Sequence, residues 1–216
     1  TVQRAFELSL NTGISLAVHK AYQKEPKRFV EGLKRFGLNE PTGILIPGEA
    51  IPTLRGPGEK GWSGVSLPWM SIGYETQIPP IATLTFYNAI ANGGKMMQPR
   101  FVKAAMKDGE VIEEYPPTVV KGHEQIASPK VIKLVQEMLR KVVSEGLGKK
   151  AGSESFAVSC KTGTAQISQG ASGYKSGGTN YLLSFAGYFP SEAPRYSCIV
   201  CIQKSGLPAS GGGMSG

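Results

Sequence analysis

Short apolar faces at helical spacing alternate along this chain with stretches that show no period at all. Val2 and Phe6, four apart, predict a helix over residues 1–8. Ser9-Leu10-Asn11 interrupts it, because serine and asparagine side chains compete with helical backbone hydrogen bonds. From Gly13 a second helix carries Ile14, Val18 and Tyr22 on one side. Pro26 opens a third over Lys27 to Phe36, with Phe29, Leu33 and Phe36 inward and Gly37 as its stop. Residues 37–77 have no period, are rich in glycine and proline, and predict a long irregular segment. Pro79-Pro80 then starts a helix bearing Ile81, Leu84, Tyr87 and Ala91, closed by Gly93-Gly94. Phe101 to Met106 and Val111 to Tyr115 predict a hairpin about Asp108-Gly109. The clearest amphipathic helix begins at Ser128-Pro129, with Val131, Leu134, Val135, Met138, Leu139 and Val142 inward, and ends near Gly146.

Strand patterns close the chain at 156–166, 180–189 and 196–204. Consecutive strands of this kind are expected as an antiparallel meander. Between the first two lies a Gly/Ser segment, 168–178, with little to bury and hence an expected mobile loop. The expected fold class is α/β, a mainly helical part over 1–150 beside antiparallel strands over 151–216.

Composition narrows the function. With 216 residues and 40% hydrophobic content the chain can bury a core of one or two domains. The formal charge is +8, but the basic residues are scattered with no run of five or more. Such a charge could serve nucleic acid, and attraction to an anionic surface or a carboxylate-bearing substrate is an equally good reading. Gly56-Pro57-Gly58-Glu59-Lys60-Gly61 matches a dinucleotide-binding pattern but lacks the strand and helix that must flank it. Cys160, Cys198 and Cys201 are too few and odd in number for a disulfide framework. Cys198 and Cys201 fall on opposite faces of one strand, so all three are expected as structural core thiols. Two histidines, His19 and His123, assemble no zinc site, and no cofactor is expected. No signal peptide or membrane-spanning run is visible, and both ends read as cuts through a longer protein.

The chemistry concentrates in Ser159-Cys160-Lys161-Thr162-Gly163-Thr164-Ala165-Gln166, at a strand end. Lys161 supplies a positive charge, Thr162 and Thr164 supply hydroxyl donors, and Gly163 lets another molecule approach the strand closely. Taken alone it could be a strand ending in a polar turn, and Ser9 with Asn11 could be a helix-to-helix cap.

Together, Ser9-x-Asn11 and Lys161-Thr162-Gly163 are two parts of the three-part set, S-x-x-K with S-D-N and K-T-G, that performs serine acyl transfer. With them stand Arg35-Phe36-Gly37-Leu38, Ser71-Ile72-Gly73-Tyr74-Glu75, Asn92-Gly93-Gly94 and Phe185-Ala186-Gly187-Tyr188-Phe189-Pro190. On these residues the chain resembles, almost end to end, the C-terminal part of the transpeptidase domain of a class B penicillin-binding protein. Such a protein is a peptidoglycan D,D-transpeptidase of the elongation or septal type. The resemblance implies a penicillin-binding transpeptidase or serine β-lactamase-like fold, truncated at both ends. It places Ser9, Asn11 and Lys161 as catalytic residues and Thr162, Gly163 and Thr164 as substrate-binding ones.

The S-x-x-K nucleophile of that set is expected to precede Thr1. The only such pattern present, Ser172-Gly173-Tyr174-Lys175, sits in the Gly/Ser loop without an oriented base and reads as coincidence. The fragment alone is therefore expected to be inactive. The resemblance further implies peptidoglycan stem peptides and β-lactams as ligands, and division or elongation complex proteins as partners, with no nucleic acid. It implies a periplasmic or extracytoplasmic place in the cell envelope, with an N-terminal membrane anchor outside these residues. A serine β-lactamase-like hydrolase and a non-catalytic β-lactam sensor or scaffold remain as alternatives.

Overall fold

A computed structural model describes residues 1–168 and 179–207. Apart from Ser168, the loop expected over 168–178, with Ser172 and Lys175, lies outside the described residues, as does the terminal glycine run. In chain order the elements are α1 (Val2–Glu7), α2 (Asn11–Tyr22), α3 (Pro26–Lys34), β1 (Thr53–Leu54), α4 (Ser66–Met70), β2 (Thr76–Gln77) and α5 (Pro80–Ala91). The hairpin β3 (Ala104–Lys107) and β4 (Glu110–Glu114) follows, then α6 (Pro129–Ser144) and the strands β5 (Ser159–Ile167), β6 (Thr179–Phe189) and β7 (Tyr196–Leu207).

The three late strands form one antiparallel meander in the order β5-β6-β7. Its register sets Lys161 opposite Ala186 and Gly163 opposite Ser184. The helix α6 packs on β5, and α5 packs on β6 and β7. Two clusters seal these contacts: Val142, Val143, Val158 and Cys160 in one, Ile90, Leu139 and Tyr188 in the other. Phe6 of α1 packs against both and so fastens the start of the chain to the sheet. Each such aliphatic side chain contributes about 1.5–3 kcal/mol by leaving water.

Local signals worked where a cap or turn residue fixed them. Ser128 caps α6 by accepting from the Val131 amide at 3.4 Å. Asp108 and Gly109 both take the left-handed backbone that a tight hairpin needs, with φ of 51° and 86°. Other expectations are corrected. Helix α2 starts at Asn11 rather than Gly13, and α3 ends at Lys34 rather than Phe36. Within 37–77 the chain forms α4 and a two-strand pairing of β1 with β2. Strand β5 starts at Ser159; Phe156 before it stacks on Phe189 at 5.3 Å instead of extending the ladder.

The predicted inner face of α6 holds at Leu139, Val142 and the core-packed Val135 but not at Val131 and Leu134. Ile132, Leu139, Val142 and Val143 are buried, while Val131 and Leu134 are 47% and 52% exposed. Two overlapping apolar stripes run along this helix, and contact with Ile90, Tyr188 and Cys160 selects one of them. The cysteines divide likewise. Cys160 is fully buried, but Cys201 is exposed on β7 and is no core thiol. Among the described residues no helix is long and apolar enough to cross a membrane.

Candidate active site

Strand β5 is at the edge of its sheet, with no described strand on its outer side. Along a strand the N–H and C=O of one residue leave to the same side, and those of the next to the opposite side. The Gln166 N–H donates outward to the Tyr74 hydroxyl at 3.1 Å, and the Thr162 carbonyl accepts from the Lys161 ammonium at 2.7 Å. Thr164 lies between them with the same parity, so its N–H and C=O also face outward. Gly163 has a packing reason to be glycine: a Cβ there would sit 2.5 Å from Ser184 Oγ on β6.

Ser9 approaches this strand from the junction of α1 and α2. Its φ is +50°, a left-handed conformation that costs a non-glycine residue about 1–2 kcal/mol. The turn is closed by Ser9 N–H to Phe6 O at 3.1 Å and Leu10 N–H to Ala5 O at 2.8 Å. The two helices touch so closely that a Cβ on Gly13 would lie 2.7 Å from that of Ala5. Ser9 does not act as a helix cap; Leu10 holds the N-cap position of α2, with no side-chain bond. Its Oγ instead accepts from Lys161 Nζ at 2.8 Å, between residues 152 positions apart. Asn11 stands exposed in the first turn of α2.

The loop after α6 is tied to α1, just ahead of the serine turn. The Leu147 amide donates to the Glu7 carbonyl at 3.2 Å, and Arg4 donates to the Glu145 carbonyl at 3.3 Å. Glu7 itself is buried, and hydrogen bonds from Gln3 and Arg4 hold its carboxyl below the usual carboxylate range.

Lys161 is half-buried with its ammonium 5.9 Å from the centre of the Phe6 ring. Burial pushes its pKa below that of an ordinary lysine. Both of its hydrogen bonds go to neutral oxygens, and it forms no salt bridge among the described residues. A partly desolvated cation without a counter-ion is prepared for an anionic ligand. Beneath it, burial pushes the Cys160 thiol up to about 11, which leaves that group inert.

These parts enclose a groove of about 530 Å³ lined by Ser9, Asn11, Lys161, Thr162, Gly163 and Thr164, the six residues expected from the sequence. Phe6, Ile14, Ser71, Ile72, Tyr74 and Leu147 complete the lining and were not assigned to the site in advance. Ser71 is fixed by its bond to the Pro68 carbonyl at 2.6 Å and by Ser15 of α2 at 3.1 Å. Tyr74 stands edge-on to Trp69 at 5.1 Å. The positive φ of Gly73 and Glu75, 94° and 58°, sharpens the turn that presents it. The only signal for this wall was the likeness of Ser71 to Glu75 to a connecting segment, which gave a place but no role. Among the described residues no carboxylate lines the groove, and no cluster of three His, Cys, Asp or Glu side chains could hold a metal. The arrangement can bind a carboxylate, pair with an extended peptide, and pass a proton through a hydroxyl beside a cation.

Comparison with known proteins gives a consistent result. Residues 1–216 match the family model described as penicillin binding protein transpeptidase domain. Penicillin-binding protein PbpB of Mycolicibacterium smegmatis is 31% identical over 204 residues, which cover 91% of this chain and 30% of that protein. Penicillin-binding protein H of Bacillus subtilis is 34% identical over 175 residues, covering 78% of this chain and 24% of that protein. The chain thus spans about a quarter to a third of the length of these relatives. The crystal structure of penicillin-binding protein 3 from Mycobacterium tuberculosis complexed with ampicillin superposes with a TM-score of 0.80 at 29% identity, over 97% of this chain and 47% of that one.

Proposed function

Because this chain belongs to the penicillin-binding protein transpeptidase family and has its fold, we propose that it forms part of the active site of a peptidoglycan D,D-transpeptidase. The observation that carries the reading is the 2.8 Å bond from Lys161 to Ser9, across the floor of a groove open along the β5 edge.

In the first step a serine from a segment outside these residues attacks the D-Ala-D-Ala carbonyl of a stem peptide. Its hydroxyl proton passes to a base of that same segment and on to replace the proton that Ser9 gives away. The C–N bond breaks, the acyl group passes to the serine, and the terminal D-alanine leaves as an amine. Ser9 hands the departing nitrogen its proton, and Lys161 lowers the free energy of negative charge on the Ser9 oxygen. The Thr164 N–H supplies one oxyanion donor, and the Thr164 C=O accepts the donor's amide N–H. Thr162 and Thr164 hydroxyls grip the terminal carboxylate, and Asn11 holds the substrate amide. In the second step an amine from a neighbouring stem takes the acyl group, and Ser9 and Lys161 move a proton the other way. A β-lactam offers the same amide and carboxylate and stops at the acyl-enzyme.

The whole protein, on this reading, works at the outer face of the cytoplasmic membrane within a division or elongation complex. On the same reading, residues 1–150 supply the mainly helical part of its groove, and strands β5, β6 and β7 of the 151–216 part supply the sheet side. The test is covalent labelling by a fluorescent penicillin, read after denaturing electrophoresis. The complete protein should label and residues 1–216 alone should not. A band on the fragment that disappears in Ser172→Ala would overturn the assignment.

A further inference from the structure

We infer that Tyr74 decides how far an acyl-donor peptide can follow the β5 edge, by occupying the backbone donor that the peptide would next require. The inference rests on the transpeptidase reading above. On the outer edge, the Thr162 carbonyl is taken by Lys161 at 2.7 Å and the Gln166 N–H by the Tyr74 hydroxyl at 3.1 Å. Thr164 lies between these two occupied positions. A donor whose reacting carbonyl and amide N–H both meet Thr164 runs antiparallel to β5. Its next inward-facing residue is two positions toward its N-terminus, opposite Gln166. That carbonyl arrives where the Tyr74 oxygen already sits. The donor therefore pairs with one residue of the strand and then leaves the edge.

Tyr74 is held in this position from several sides. Its ring is edge-on to Trp69 at 5.1 Å, and the turn that carries it is bent by positive φ at Gly73 and Glu75. Ser71, at the start of the same turn, is bonded to Pro68 and Ser15. The Gln166 side chain points elsewhere, donating to the Tyr181 hydroxyl at 3.2 Å, so it does not compete for the site.

The experiment uses the complete protein and two peptide thioester donors with the same leaving group. One ends at the N-acetylated reacting D-alanine; the other carries two further residues. In Tyr74→Phe the ring and its contact with Trp69 remain, and the Gln166 N–H is freed. The ratio of kcat/KM for the long donor to that for the short one should rise about two- to tenfold, the worth of one net hydrogen bond. Exchange of the Gln166 amide should also quicken. A merely structural tyrosine would change both donors alike, so an unchanged ratio overturns the inference. If the variant fails to fold, wild type decides: donors lengthened residue by residue should gain nothing at the second added residue, and a clear gain there refutes the stop. Wild type that reacts with neither donor nor with penicillin refutes the transpeptidase reading itself, and the inference with it.

Discussion

Replacing Lys161 should separate catalysis from stability. The ammonium donates to Ser9 Oγ at 2.8 Å and to the Thr162 carbonyl at 2.7 Å, so its charge is held within one bond of the proposed relay oxygen. Two unit charges about 4 Å apart interact by about 4 kcal/mol where the effective dielectric constant is near 20. Loss of one positioned donor in other acyl-transfer sites costs about 10²–10³ in rate. Lys161→Ala in the complete protein should therefore slow acylation by benzylpenicillin on the order of a hundredfold or more. Stability should behave differently. Burial depresses the pKa of this lysine, so between its folded and unfolded values the unfolded chain binds more protons. Stability then rises with pH across that interval, and below it the buried charge is a net cost. Lys161→Met, which keeps the stem and removes the charge, should leave the urea midpoint at pH 7 unchanged or higher while acylation stays low. In wild type, acylation should fall as alkaline pH reaches this depressed value. Wild-type acylation in Lys161→Ala, or a midpoint lowered as far as a core truncation lowers it, would refute the reasoning.

Three further outcomes follow from local geometry. Ser9→Gly relieves a φ of +50° and should raise stability by up to about 1 kcal/mol, as measured by thermal unfolding, yet abolish penicillin labelling. Gly163→Ala should be destabilising, because its Cβ meets Ser184 Oγ at 2.5 Å. Adding Ser184→Ala should restore the unfolding midpoint, and acylation should remain slow if the donor truly lies against this residue. Gly146→Ala drives a Cβ into the Glu7 carbonyl and to 2.9 Å from that of Val142, both backbone atoms that cannot turn aside. It should cost about 1–3 kcal/mol or more in urea unfolding, whereas Gly64→Ala, with open space around it, should be near neutral.

The fold was most readable where one residue type permits only one local geometry. Ser128-Pro129 can start a helix and Asp108-Gly109 can close a tight hairpin whatever surrounds them, and both elements formed where those residues stand. A stripe of apolar residues is less decisive. Helix α6 has enough of them for two faces, and Val131 and Leu134 went outward because the partners of the helix lie on the side of Ile132 and Leu139. Those partners, Ile90 and Tyr188, are dozens of positions away, and helical periodicity carries no information about them. The same holds for Cys201: strand alternation puts it opposite Cys198, but only the arrangement of neighbours determines which of the two meets solvent.

For the groove, legibility depended on whether chemistry was written into adjacent residues. Lys161, Thr162, Gly163 and Thr164 are consecutive on one strand, so a cation, two hydroxyls and a close-approach position could be read as a unit. Ser9 could not be read this way. Its partner is 152 positions off, and its spacing to Asn11 suits a cap equally well. What separates the two uses is the left-handed backbone at Ser9, which takes the hydroxyl off the helix end and turns it to Lys161. Tyr74 was further from reach, since it lies in the aperiodic stretch and acts through its hydroxyl on a backbone N–H. Almost any side chain at position 166 would present that N–H. The limit that Tyr74 sets on the β5 edge is thus a property of strand parity and of one turn meeting one strand, and neither segment contains it alone.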